Sequence, residues 1–398
     1  MRKPPIAIDK AKAPPSGQAP DTVPVLRPLL PPARRLLPYL RRIDAARTYT
    51  NWGPLVCELE TRLARQFGVA DGSVVSASSG TAALVGAILA TAGRAHPDRP
   101  FAMLPAFTFV ATASAVEQCG YIPYPVDVDN DSWLMDATRI ADPALLGRIG
   151  VVVPVAAFGR PVPQEPWAAF RRRTGIPVVI DGAASFEALS QEPGVWIGEV
   201  PVALSFHATK SFATGEGGCV VATDVQLAKL VAEALNFGFY GSRFSRSAST
   251  NGKLSEYHAA IGLAELDGWA KKRRALMRVA DRYRRCLTPI GLAHRFASAP
   301  AIASCYALFR CADRSEADLV QRSLRMSDIE FRLWYGTGLL NQPYFSHLLH
   351  DTLPVTDALA PCVIGLPVAV DLSDSAIERI VAALHSSVSG VPDHRSRK

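Results

Sequence analysis

The chain contains no run of 18 or more apolar residues, so its sequence predicts no membrane span. It has no Cys-x-x-Cys pair. Its seven cysteines (Cys57, Cys119, Cys219, Cys286, Cys305, Cys311 and Cys362) are scattered and odd in number. That pattern argues against both a metal site and a disulfide framework, and it suits a reducing, cytoplasmic setting. No apolar stretch follows the charged N-terminus, MRKPPIAIDKAKAPPSGQAP, so no secretory signal is expected. Residues 1–22 read as a flexible tail. Long basic runs are missing as well. Lys and Arg outnumber Asp and Glu by 43 to 36, but the clusters at 171–173, 271–274 and 284–285 are short. They read as solvated parts of helices rather than as a nucleic-acid surface. A mild positive balance suits an anionic small substrate instead. No internal repeat is visible.

What is present is ordinary globular composition, 48% hydrophobic and 20% charged, over 398 residues. That length exceeds one simple core and predicts two domains. The spacing predicts a short helix over 33–46. Pro54 then opens a second helix, striped by Leu55, Leu59, Leu63 and Phe67 and stopped by Gly68. An alternation follows. Strands are expected at 73–77, 101–104, 121–126, 149–155, 176–180, 202–206 and 217–222, with helices at 80–92 and 108–118 among them. Strands apolar throughout and separated by helices indicate a parallel sheet covered on both faces. Ligands of such sheets lie at the carboxyl ends of the strands, where Asp181, Ser205 and Lys210 fall. A long helix is expected from 254 to about 285, with Gly268 as the place where it could break. The remainder mixes strands (303–310, 330–333) with helices (315–324, 375–384). The predicted division is a large domain over 23–268, a smaller α+β domain over 269–388, and a polar tail over 389–398.

The turn between the last two large-domain strands, SFHATKSFATGEGG, carries Lys210. An ammonium close to a buried strand end is costly unless it has a task or a partner. One task is to hold pyridoxal phosphate (PLP) as a Schiff base; the plainer reading is a surface loop lysine. A PLP site needs three further parts. An acid at the pyridine nitrogen is available in Asp181, which could equally be a loop or capping carboxylate. A phosphate cup is available in SASSGTAAL, where Ser79, Gly80 and Thr81 start a helix after a strand, with Ser205 as a further donor. A flat wall is available in Phe109, which could equally be core.

Order and spacing together carry the weight. SSGTAAL, PAFTFVAT, VVIDGAAS, LSFHATK and TGEGGCVV, in that order, resemble the DegT/DnrJ/EryC1/StrS family of fold type I PLP aminotransferases, the sugar aminotransferases. YTNWGPLVCELETRLARQFGV, NGKLSEYHAAIGLAEL and LPVTDALAPCVIGLPV extend the resemblance to roughly residues 23–388. It implies an α/β fold with a mostly parallel seven-stranded sheet covered by helices, plus the smaller C-terminal α+β domain. It also implies PLP as cofactor, with Lys210 as the Schiff-base lysine and proton-transfer base. Asp181 becomes the pyridinium partner, Phe109 the stacking residue, and Gly80, Thr81 and Ser205 phosphate ligands. Asn251 matches an asparagine that reaches the neighbouring subunit's phosphate site, so a homodimer with shared active sites is expected.

The activity implied is transfer of an amino group from glutamate or glutamine to a keto-sugar, most simply a nucleotide-linked one, in surface polysaccharide or secondary-metabolite synthesis. Alternatives are amination of a cyclitol or another cyclic ketone, or a non-catalytic partner subunit. A dehydratase of this fold carries histidine in place of the lysine. Two positions depart from the family. Ala184 stands where Gln or His usually faces the cofactor's ring hydroxyl, and Ala156 stands where a histidine is frequent. Neither alanine can hydrogen-bond through its side chain. Arg243 and Arg246, in GFYGSRFSRSAST, could meet a diphosphate or a carboxylate, or remain solvated.

Overall fold

The structure is a computed structural model and describes residues 22–297 and 303–389. The two expected tails lie outside the described residues, apart from their innermost positions.

Nine strands are assigned among the described residues. They are β1 (Val74–Ala77), β2 (Phe101–Pro105), β3 (Ile122–Val126), β4 (Ile149–Val152), β5 (Ile180–Asp181), β6 (Val202–Ser205), β7 (Gly218–Val221), β8 (Ala307–Arg310) and β9 (Val363–Leu366). The first seven form one surface. β3-β2-β4 and β5-β6-β7-β1 are hydrogen-bonded groups, and the parallel bridges Val152–Val178 and Val155–Asp181 join them. Only β7 runs against its neighbours. The seven-stranded, mostly parallel sheet is therefore present. β4 ends at Val152, short of its apolar run to Val155: the Val153 amide still reaches the Met103 carbonyl, but Pro154 has no N–H to continue the ladder.

Alternation along each strand builds two cores. Phe101, Met103, Ile180, Val202, Leu204 and Cys219 face one side, with Leu59 and Leu63 of helix Pro54–Gln66 and Leu263 of helix Glu256–Leu287. Ala102, Leu104, Val179, Ala203 and Val220 face the other, against Leu84, Ile88, Val116 and Val231 of three further helices. Each fully buried Leu or Ile contributes about 1.5–3 kcal/mol.

Helix Glu256–Leu287 spans 32 residues and runs unbroken through Gly268, so the break does not occur. Its first half packs on the sheet. Its second half, with Leu276, Val279, Tyr283 and Leu287, packs on a separate core around β8, β9 and helices Arg314–Met326 and Asp374–Ser389. The strand expected at 330–333 reduces to a single bridge, Arg332–Gly365. The partner of β8 is instead β9, from a segment that the sequence reading left without a strand.

Candidate active site

The site is built where β5 and β6 end. Helix Gly80–Ala92 follows β1 after two residues. Ser79 caps it, its Oγ accepting from the Ala82 amide at 3.0 Å, and Gly93 closes it at φ 72°. The Gly80 and Thr81 amides belong to the first turn, before the helix's own hydrogen-bond ladder begins. Gly80 lies hard against β6: a Cβ there would stand 2.5 Å from Ser205 Cβ and 2.8 Å from its Oγ. Gly218 of β7 closes on the same point, where a Cβ would meet Gly80 Cα at 2.9 Å. Ser79, Gly80, Thr81 and Ser205 therefore form one small cup at a helix N-terminus. That is the environment a phosphate prefers.

Asp181 ends β5 and is 7% exposed. Its Oδ2 accepts from the Thr112 hydroxyl at 2.7 Å, and its Oδ1 from the Ala183 amide at 3.1 Å. Thr112 is held in turn by Thr108 at 2.9 Å. Burial holds the Asp181 carboxyl above its usual range, against the pull of the Thr112 hydroxyl, the Ala183 amide and the charge of Lys210. Among the described residues no Lys, Arg or His forms an ion pair with it; its hydrogen-bond donors are neutral.

Lys210 sits in the turn between β6 and β7. The Lys210 amide donates to the His207 carbonyl at 2.8 Å, and Thr214 closes the turn on Phe206 at 2.8 Å. Phe206 and Phe212, both fully buried, root the turn in a cluster with Phe186 and Trp269. The ammonium is thus carried on a fixed base. Its Nζ donates to the Tyr306 hydroxyl at 3.0 Å.

Phe109 precedes helix Val110–Gln118 and is 55% exposed, so its ring is not spent on the core. Ala156 and Ala184 both flank Asp181. The Ala156 amide donates to the Asp181 carbonyl at 2.9 Å, and Gly159 packs on the Ala184 carbonyl.

The remaining candidates stand apart. Asn251 is exposed, its Oδ1 held by Lys253 at 2.7 Å, beside Gly252, whose carbonyl accepts from Ser78. Arg243 and Arg246 are exposed on their loop and make no contact with Lys210 or Asp181. Sequence reasoning missed Thr112, Tyr306 and Tyr335. Thr112 was within reach, lying inside the PAFTFVAT motif.

A cavity of about 770 Å³ lies elsewhere, along edge strand β3 between Phe101, Tyr124, Asp136 and Arg148. No cluster of metal-ligand type occurs among the described residues, and no described helix is long and apolar enough to cross a membrane.

A sequence model of the DegT/DnrJ/EryC1/StrS aminotransferase family matches residues 33–385. The chain belongs to that family. Protein Rv3402c of Mycobacterium tuberculosis (strain ATCC 25618 / H37Rv) is 32% identical over 388 residues, covering 94% of this chain and 92% of the relative. The dTDP-4-amino-4,6-dideoxy-D-glucose transaminase of Shigella dysenteriae is 28% identical over 373 residues, 90% of this chain and 97% of the relative. Among solved structures, a Bacillus cereus protein assigned as a PLP-dependent aminotransferase superposes with a TM-score of 0.82 at 28% identity, covering 91% of this chain and 99% of that one. Family membership and this likeness fix the fold as that of fold type I PLP-dependent aminotransferases.

Proposed function

We propose that this aminotransferase holds PLP between Lys210, Asp181, Phe109 and the cup of Ser79, Gly80, Thr81 and Ser205, and that it aminates a nucleotide-linked keto-sugar at the expense of glutamate or glutamine. The observation that carries the reading is Asp181: a carboxylate buried at a strand end, hydrogen-bonded only by neutral groups, near a lysine that is itself rooted in the core. Such a carboxylate suits a cationic ring nitrogen. The cup suits a phosphate, because a Cβ at Gly80 would fill it. The donor set therefore fits the cofactor.

When bound, PLP supplies an electron sink for a substrate carbon that loses a proton. The chain supplies the rest. Asp181 holds the ring nitrogen protonated. Phe109 presents an exposed ring face for stacking. Lys210 Nζ, once free, removes a proton from the substrate and returns it to a neighbouring carbon. The Tyr306 hydroxyl, backed by the Phe158 ring, holds that nitrogen in place.

The nucleotide-sugar substrate is supported by the Shigella dysenteriae relative, whose name states a dTDP-sugar reaction. We further read the chain as a cytoplasmic homodimer with shared sites, which gives the exposed Asn251 a phosphate to reach in its partner. We read its body as a large domain over 23–268 and a small one over 269–388. The core around β8 and β9 supports that division, although helix Glu256–Leu287 spans it and Phe107, Phe158, Leu308 and Val363 share a cluster across it. The test is a screen of keto-sugar nucleotides and cyclic ketones with glutamate or glutamine, followed by mass spectrometry. Gain of an amine on a sugar nucleotide is expected. Amination of cyclic ketones alone overturns the acceptor assignment. Protein that stays colourless with added PLP points instead to the non-catalytic partner reading that Ala156 and Ala184 motivate.

A further inference from the structure

Ala184 removes the side chain that family members turn toward the cofactor's ring hydroxyl, yet the site is not left without a polar group there. Gly159, at φ +83°, packs on Ala184: a Cβ on the glycine would stand 2.5 Å from the Ala184 carbonyl oxygen and 3.5 Å from its Cβ. The preceding residue, Phe158, is also left-handed, at φ 54°. The left-handed backbone is costly at the phenylalanine, whereas the glycine adopts it freely. The two conformations place the Phe158 ring edge-on to Tyr306, with centroids 5.4 Å apart. Trp334 meets Tyr306 edge-on as well, at 5.3 Å. Tyr335 stacks on Phe158 at 4.2 Å, and its hydroxyl accepts from the Phe158 amide at 3.0 Å. Tyr306 is thus clamped by two rings, one of which rides on the backbone at Ala184. Its hydroxyl lies 3.0 Å from Lys210 Nζ.

In PLP the ring hydroxyl is on the carbon next to the one bearing the aldehyde. A group held beside the lysine nitrogen that takes up that aldehyde is therefore within reach of the ring hydroxyl. We propose that Tyr306 is the hydrogen-bond donor to the cofactor's ring hydroxyl, replacing the side chain that is absent at Ala184. The inference rests on the cofactor reading above. Burial keeps the phenol well above its ordinary pKa, so it stays a donor through the physiological range. Tyr306 is a positioning residue for Lys210 and a contact for the cofactor, supplied by the polypeptide just before β8 rather than by the sheet.

A donor at the ring oxygen stabilises it most when the adjacent nitrogen carries no proton. Removing the donor must therefore raise the pH midpoint at which the visible band of PLP-loaded protein changes. The experiment titrates that band in the parent, in Tyr306→Phe and in Tyr306→Phe/Ala184→Gln. A hydrogen bond to a charged oxygen corresponds to a shift of about one pH unit or more. Tyr306→Phe is expected to move the midpoint upward by about that much and to weaken PLP binding. The added Gln at 184 is expected to bring the midpoint back toward the parent. An unchanged midpoint in Tyr306→Phe overturns the proposal. A shift that the second substitution does not reverse overturns the replacement of position 184. Parent protein that never takes up PLP is a different result: it removes the cofactor reading itself and this inference with it. Circular dichroism of all three proteins separates these outcomes from loss of fold.

Discussion

Gly80→Ala isolates the physical basis of the phosphate cup. The helix itself favours the change, since Ala exceeds Gly by up to about 1 kcal/mol in a helix interior and by less at its first residue. Backbone conformation raises no objection, because Gly80 is not left-handed. Sterics oppose it. The new Cβ would lie 2.5 Å from Ser205 Cβ, 2.8 Å from its Oγ and 3.0 Å from its Cα. A rotamer change cannot relieve contacts to Cα and Cβ, so the helix or β6 must move. Overpacking of this kind costs about 1–3 kcal/mol, which exceeds the helix gain. The expected net loss is about 1–2 kcal/mol, a factor of about 5–30 in the folding equilibrium. PLP affinity should fall with it, because the moving parts are the proposed phosphate donors. Urea unfolding and a spectroscopic PLP titration measure the two effects. Ser205→Gly removes the colliding Cβ, so in the Gly80→Ala/Ser205→Gly double variant the effects should fail to add by about 1 kcal/mol. A Gly80→Ala protein with the parent's stability and PLP affinity, or strict additivity in the cycle, would refute the cup.

Other expectations follow from the same contacts. Asp181→Asn should keep the fold and lower turnover about 10²–10³-fold, about 3–4 kcal/mol of barrier, because the ring nitrogen loses its anionic partner; steady-state kinetics on the identified substrate check it, and parental turnover contradicts it. Lys272→Met should destabilise the protein by about 3–5 kcal/mol by leaving buried Glu265 without its ion-pair partner, read by denaturant unfolding. Glu60, largely buried, is pushed up to about 7 by burial, against hydrogen bonds from the Ser76 amide and hydroxyl and the Trp52 indole. Its contribution to stability is therefore fully present below about pH 4.5 and is lost as the pH rises through 7. Glu60→Gln should flatten that part of the stability profile and leave the variant the more stable protein at pH 8.

Legibility tracked sequence distance. Lys210, Asp181 and Ser205 stood out because each terminates or follows a short apolar strand, and strand ends are where ligands of this sheet type lie. The helix starting at Gly80 was readable from Ser79 and Gly93, which mark its two ends locally. Tyr306 was not readable: its partner Lys210 is 96 residues away, and β7, helix Val225–Ala234 and helix Glu256–Leu287 all lie between them. Thr112 sat inside a recognised motif, but its tie to Asp181 crosses 69 residues. β9 was missed because it is only four residues long and shows no alternation, all four being buried, and its pairing with β8 supplies the strand. Gly268 was overweighted as a breaker. Buried contacts on both sides of it, from Leu263 and Trp269 to Leu276, hold the helix through that residue.

The account turns on a covalent bond between Lys210 and PLP. Protein incubated with excess PLP, reduced with borohydride and digested should yield a pyridoxyl adduct on the peptide carrying Lys210, and Lys210→Ala should yield none there. A parent digest without that adduct, or with the adduct on another lysine, contradicts it.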